Sequence, residues 1–133
     1  MQVARLSIVT QVNDEAENSA VFEADMRLSP ESAFLRYYDG NSLVGLLLKN
    51  GELTIERRGD YNLFLRLKEN EELESSLGFG SSSGKIHTKT HALDYSITKN
   101  SILLSVKYAL YFGDGEKQEM KIRLLANSVT EEK

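Results

Sequence analysis

The sequence has 133 residues, enough for one domain with a substantial core, since a chain of this length hides roughly two-thirds of its unfolded surface. Apolar residues make up 41% and charged residues 27%, which excludes a disordered tail and a bilayer-embedded chain. The 16 Lys and Arg are outnumbered by 20 Asp and Glu, for a formal charge of −4, so neither nucleic acid nor an anionic membrane is an expected partner. Cysteine is absent, and with it go disulfide scaffolds, thiolate metal sites, cysteine nucleophiles and thiol redox chemistry. No apolar run leads the chain, and none approaches the ~20 residues that span a bilayer. A cytoplasmic location is expected.

Period two dominates from the start. Ala4, Leu6, Ile8, Thr10 and Val12 share a mostly apolar face while Arg5, Ser7 and Gln11 take the other, the alternation of a half-buried strand. Phe22, Ala24, Met26 and Leu28 repeat it against Glu23, Asp25 and Arg27, and the polar stretch from Asn13 to Asn18 makes the two runs a hairpin. Pro30, the only proline, closes the second run. Turn signals then follow at short intervals: Asp39-Gly40-Asn41, Asn50-Gly51, Arg58-Gly59-Asp60, Glu69-Asn70, Lys99-Asn100 and Gly113-Asp114-Gly115. Asn-Gly is the strongest, because both residues tolerate the positive φ of a type I′ turn. These signals place strands near 33–39, 43–49, 52–58, 61–67, 85–91, 93–98, 101–112 and 116–126. Inner faces read Leu93, Tyr95, Ile97, then Ile102 through Phe112 in alternation, then Met120, Ile122, Leu124. Between them, Asn70 either caps a short helix with Leu73 and Leu77 four apart or precedes a strand ending at Gly78-Phe79-Gly80.

Many short antiparallel strands with scarcely any helical pattern leave a sandwich or a closed barrel. A meander has two exposed edges, and closure pairs the first strand with the last and removes both. The fold expected is all-β: a single antiparallel up-and-down β-barrel of about 8–10 strands over residues 1–126, followed by a polar C-terminal tail at 127–133.

Several motifs invite chemistry and do not sustain it. Gly78 through Lys85 resembles a phosphate loop, but the pattern would need Gly at 79 and Ser or Thr at 86, where Phe79 and Ile86 stand. Ser81-Ser82-Ser83-Gly84 reads as a loop. Arg58-Gly59-Asp60 reads as a hairpin corner. His87 and His91 are the only histidines; four apart on a strand, they lie roughly 13 Å from one another, too far to share an ion. No Ser-His-Asp order with a nucleophile elbow is present, and Glu23 with Asp25 sits on a solvated strand face. No enzyme activity, metal or cofactor is expected.

One constellation stands out. Leu35, Tyr37 and Asp39 share a strand face, as do Leu53, Ile55 and Arg57, and Ile86, Thr88 and Thr90 do likewise. If these faces line one barrel, Tyr37, Asp39, Arg57, Thr88 and Thr90 gather within it or at one end, with Tyr108 inward on a later strand. A buried Arg requires a partner, and Asp39 is the nearest in pattern. Two readings follow: a structural plug in which Asp39 and the hydroxyls satisfy Arg57, or a site in which Arg57 anchors an anionic ligand head group.

Leu35-Arg36-Tyr37-Tyr38-Asp39, Arg57-Arg58-Gly59, Gly84 through Thr90 and Tyr108-Ala109-Leu110 together resemble, in order and spacing, the YwiB-like bacterial proteins, a family of unknown function. The resemblance runs over residues 1–126. It implies a calycin-like barrel in the bacterial cytosol, a strand rather than a helix at 72–80, and no known activity. Calycins include lipocalins and fatty-acid-binding proteins, but this chain has no Trp for a lipocalin start and no helical lid, and its inward Phe22, Met26, Tyr95, Tyr108 and Phe112 are bulky. The functional expectation is a nonenzymatic barrel holding a small, partly apolar or anionic ligand in its interior. The alternative is a solid barrel acting as an interaction module, with a homodimer contact through Tyr111 or Leu125.

Overall fold

Alternation of apolar and polar residues becomes ten antiparallel strands in the computed structural model, which describes residues 1–79, 82–113 and 115–129. They are β1 (Gln2–Val12), β2 (Asn18–Ser29), β3 (Ser32–Asp39), β4 (Ser42–Lys49), β5 (Glu52–Arg58), β6 (Asn62–Lys68), β7 (Glu72–Phe79), β8 (Ser82–Ile97), β9 (Ser101–Tyr111) and β10 (Lys117–Ser128). Each pairs with its neighbours in sequence, and β1 pairs with β10 from Ala4↔Ser128 to Val12↔Met120, closing the sheet into a barrel. The tight turns follow their residues: Asn50 and Gly51 have φ of 55° and 75°, as a type I′ turn requires.

The inner face is apolar nearly all the way round. Leu6, Met26, Leu53, Leu67, Ile102 and Leu104 are fully buried. The gap left among Leu35, Leu46, Leu53, Ile102, Leu104 and Leu124 is about 10 Å³, at the limit of one water and without polar groups to hold it. The barrel is packed at this level. Leu35 is buried and Tyr38 is exposed, so β3 points Leu35, Tyr37 and Asp39 inward.

Three expectations change in detail, and one open choice is decided. The runs at 85–91 and 93–98 are one strand, β8, whose register slips between Thr90 and Ala92; His91 is the extra residue of a β-bulge that reverses the inward phase. Ser82–Gly84 begin β8 rather than forming a loop, while Gly80 and Ser81 lie outside the described residues, as does Asp114 of the Gly113–Gly115 turn. The segment after Asn70 is strand β7, as the resemblance implies, and Asn70 itself is a left-handed turn residue with φ of 63° rather than a helix cap. Tyr95 is 44% exposed although it pairs with buried Leu104; it is not part of the core.

Gly59 earns its place by close approach. A Cβ there would lie 2.9 Å from Ser42 Cβ and 3.0 Å from Ser42 Cα, and Ser42 is buried. The Arg-Gly-Asp corner thus has a packing explanation. Gly59→Ala is expected to lower unfolding free energy by about 1–3 kcal/mol, while Gly84→Ala, with no atom within 4 Å of the new carbon, stays within about 0.5 kcal/mol. Urea titration checks both, and equal midpoints for the two variants would contradict this packing.

Candidate functional site

Two strands lead from the core to one end of the barrel and change character along the way. On β3 the inward series runs from buried Ala33 and Leu35 through half-buried Tyr37 to exposed Asp39, and on β5 it runs from buried Leu53 and Ile55 to half-buried Arg57. Strand β4 lies between them, with Val44 opposite both Tyr37 and Arg57. Across this width Arg57 Nη1 donates to Asp39 Oδ2 at 3.2 Å. The side chains are 23% and 48% exposed, so the pair is partly solvated and its Coulomb energy is correspondingly reduced. The guanidinium carbon sits 5.3 Å from the centre of the Tyr61 ring, within cation–π range. Tyr37 packs against Phe22 with ring centres 4.6 Å apart. Its hydroxyl is pushed up to about 12 by burial first and the Asp39 carboxylate second, with Arg57 opposing.

Arg57 keeps donors in reserve. Its Nε is buried and has no hydrogen-bond partner among the described residues, an arrangement that costs free energy unless something else fills it.

The six sequence-derived residues fall into two groups. Tyr37, Asp39 and Arg57 meet as described. Thr88, Thr90 and Tyr108 lie on β8 and β9, with Thr90 directly opposite Tyr108, and all three are buried. Thr88 Oγ1 donates to the Arg66 carbonyl at 2.6 Å. Arg66 pairs with Thr54, three positions and roughly 10 Å along β5 from Arg57. Thr90 Oγ1 is buried without a partner among the described residues, and burial pushes the Tyr108 hydroxyl up.

Sequence reasoning missed Tyr61, Phe22 and Ser75 as parts of these groups. Ser75 Oγ accepts from the Arg66 amide at 3.0 Å; its signal was a small hydroxyl between Leu73 and Leu77 in an apolar phase. Tyr61 follows the Gly59-Asp60 turn and carries no periodic signal. His91 bonds Glu119 at 3.2 Å on the surface. Among the described residues no cluster of three or more His, Asp or Glu could hold a metal.

The half-exposed ion pair sets the scale of two expectations. Arg57→Ala is expected to cost about 1–2 kcal/mol, between the figures for an exposed and a buried pair, with a coupling to Asp39→Asn of about 0.5–1 kcal/mol. A double-mutant cycle measures this, and zero coupling would contradict the pairing. For Tyr37, a folded value near 12 against an ordinary 10 means that burying the neutral phenol contributes stability below pH 10 that is lost as pH rises toward 12. Tyr37→Phe is expected to flatten the fall in stability across that window; parallel curves for the two proteins would contradict it.

Comparison with known proteins agrees with this architecture. The crystal structure of ywiB protein from Bacillus subtilis superposes with a TM-score of 0.79 at 13% sequence identity, over 97% of this chain and 93% of that one, a likeness of fold alone. No curated protein matches. No helix among the described residues is long and apolar enough to cross a membrane. The barrel expected from the YwiB-like resemblance is borne out, and the family model for a domain of unknown function, DUF1934, matches residues 6–124: the chain belongs to that family.

Proposed function

We propose that the protein is a nonenzymatic, cytoplasmic ligand-binding barrel whose site is the Arg57 end rather than the apolar interior. Its ligand is a small carboxylate or similar anion with an apolar or aromatic body. The observation that carries this reading is the guanidinium itself: Asp39 engages Nη1, while Nε is buried and unpartnered. The Nε–Nη2 edge of an arginine matches the two oxygens of a carboxylate. Phe22, Tyr37 and Tyr61 supply flat apolar surface beside it, and the gap of about 10 Å³ in the core argues against a ligand seated deeper. Thr88, Thr90 and Tyr108 then serve the packing of the barrel rather than the ligand.

A thermal-shift and calorimetric titration with benzoate, hexanoate and inorganic phosphate tests this. Saturation at 100 times Kd is expected to stabilise the native state by about 2.7 kcal/mol, with the shift lost in Arg57→Gln. No shift with any of the three, or an equal shift in the variant, would overturn the proposal.

A second reading has its own observation. On the outer face Leu103 and Leu125 stand directly opposite one another and are 56% and 39% exposed, and Leu125 connects through Ser7 to exposed Val21. An apolar row of this kind suits a second copy of the chain. Half-buried Tyr111 stands eight positions beyond Leu103 on β9 and lies outside that row. Sedimentation equilibrium is expected to show a dimer that Leu103→Lys dissociates; a monomeric wild type would contradict this reading.

A further inference from the structure

Among the described residues, strands β6 and β7 are joined by three residue pairs, Asn62↔Gly78, Leu63↔Leu77 and Phe64↔Ser76. Beyond Phe64 both strands continue, to Lys68 and back to Glu72, without pairing. Side chains take over from the backbone there: Ser75 Oγ accepts from the Arg66 amide at 3.0 Å, and Thr88 Oγ1, reaching from β8, donates to the Arg66 carbonyl at 2.6 Å. The far end is closed again by the turn, where Glu71 N donates to Lys68 O and Thr90 N to Glu71 O. The seam is therefore a gap held shut at both ends and bridged in the middle by two hydroxyls.

Each bank of this gap is fastened to its own side. Arg66 is held to β5 by Glu52, with Nε–Oε2 at 3.0 Å and Nη2–Oε1 at 3.3 Å, in addition to the β5–β6 ladder. Strand β7 pairs with β8 at eight positions. Outside the gap lies an open cleft of about 520 Å³ lined by Phe64, Arg66, Glu74, Ser76 and Lys85 and reaching Ser75 at the gap itself. Inside it lie the buried hydroxyls of Ser75, Thr88 and Thr90, the last without a partner among the described residues.

From this arrangement we infer that the β6–β7 seam is the segment through which the barrel opens, parting β6 from β7 so that water and small solutes reach the Thr88 and Thr90 hydroxyls. Opening here, with the turn after Lys68 moving along with β6, breaks two side-chain hydrogen bonds and the two backbone bonds between that turn and Thr90, Asn70 N to Thr90 O and Thr90 N to Glu71 O, instead of a ladder. It also wets the Ser75, Thr88 and Thr90 hydroxyls beside Leu65 and Leu67, whereas parting β4 from β5 would wet Leu46, Leu48, Leu53 and Ile55, so the wall parts here at less cost. The inference goes beyond the Arg57 site and is independent of it.

Native-state hydrogen exchange on the intact chain tests it. The amides of Arg66 and Thr90 are expected to exchange together, at least about tenfold faster than the slowest amides of β4 and β5 and with little dependence on urea. Ser75→Ala and Thr88→Val are each expected to speed Arg66 and Thr90 a further fivefold or so while leaving β4 and β5 unchanged. Should either variant fail to fold, the wild-type rates decide the matter. Exchange of Arg66 and Thr90 at the rate and urea dependence of β4 and β5 would overturn the inference, as would acceleration of Arg66 alone with Thr90 unchanged.

Discussion

The pairing of the first strand with the last governs everything else in this protein. Nine residue pairs join β1 to β10, so a meander that would otherwise expose two unpaired edges has none, and every inward side chain must fit a cylinder of fixed girth. Two consequences follow. The inward positions must be apolar through the middle of the barrel, where Leu6, Leu53, Ile102 and Leu104 meet, and they must fill the space they enclose. They do, to within about 10 Å³ at the level of Leu35 and Leu124.

A filled cylinder confines chemistry to its ends, its outer surface and any flaw in its wall. The Arg57 end illustrates the first. A strand that leaves the core can carry a charge on its inward phase only where water reaches it, and Asp39 and Arg57 occupy that zone, one half-exposed and the other mostly covered. The β6–β7 seam illustrates the last. There Ser75 and Thr88 replace backbone partners for Arg66. The Thr88 hydroxyl bonds the Arg66 carbonyl, and neither it nor the Thr90 hydroxyl joins the Arg57–Asp39 pair.

Much of this was legible in the sequence because the signal is local. Alternation placed nearly every strand, Asn50-Gly51 fixed a hairpin through its positive φ preference, and the matched endings Leu35-Tyr37-Asp39 and Ile55-Arg57 pointed to an ion pair that the fold forms across β4. The misses have physical causes. A bulge at His91 inserts one residue and inverts the phase, so Thr90 and Leu93 both face inward and one strand reads as two. The acidic stretch Glu69–Glu74 hides the inward series Leu73, Ser75, Leu77 behind outward carboxylates. Gly59 looked like a turn residue, whereas the neighbouring strand's Ser42 dictates it. Partnerships such as Tyr61 with Arg57, or Ser75 with Arg66, depend on which strands become neighbours, and no periodicity encodes that.

Closure around a packed interior is the claim on which the rest stands, and cross-strand nuclear Overhauser contacts between β1 and β10 test it most directly. The account predicts contacts along the register that includes Ile8↔Leu124 and Leu6↔Ala126, with inward methyls of Leu6, Leu104 and Leu124 in mutual contact. Absent β1–β10 contacts, with both strands exchanging their amides as free edges, would contradict it.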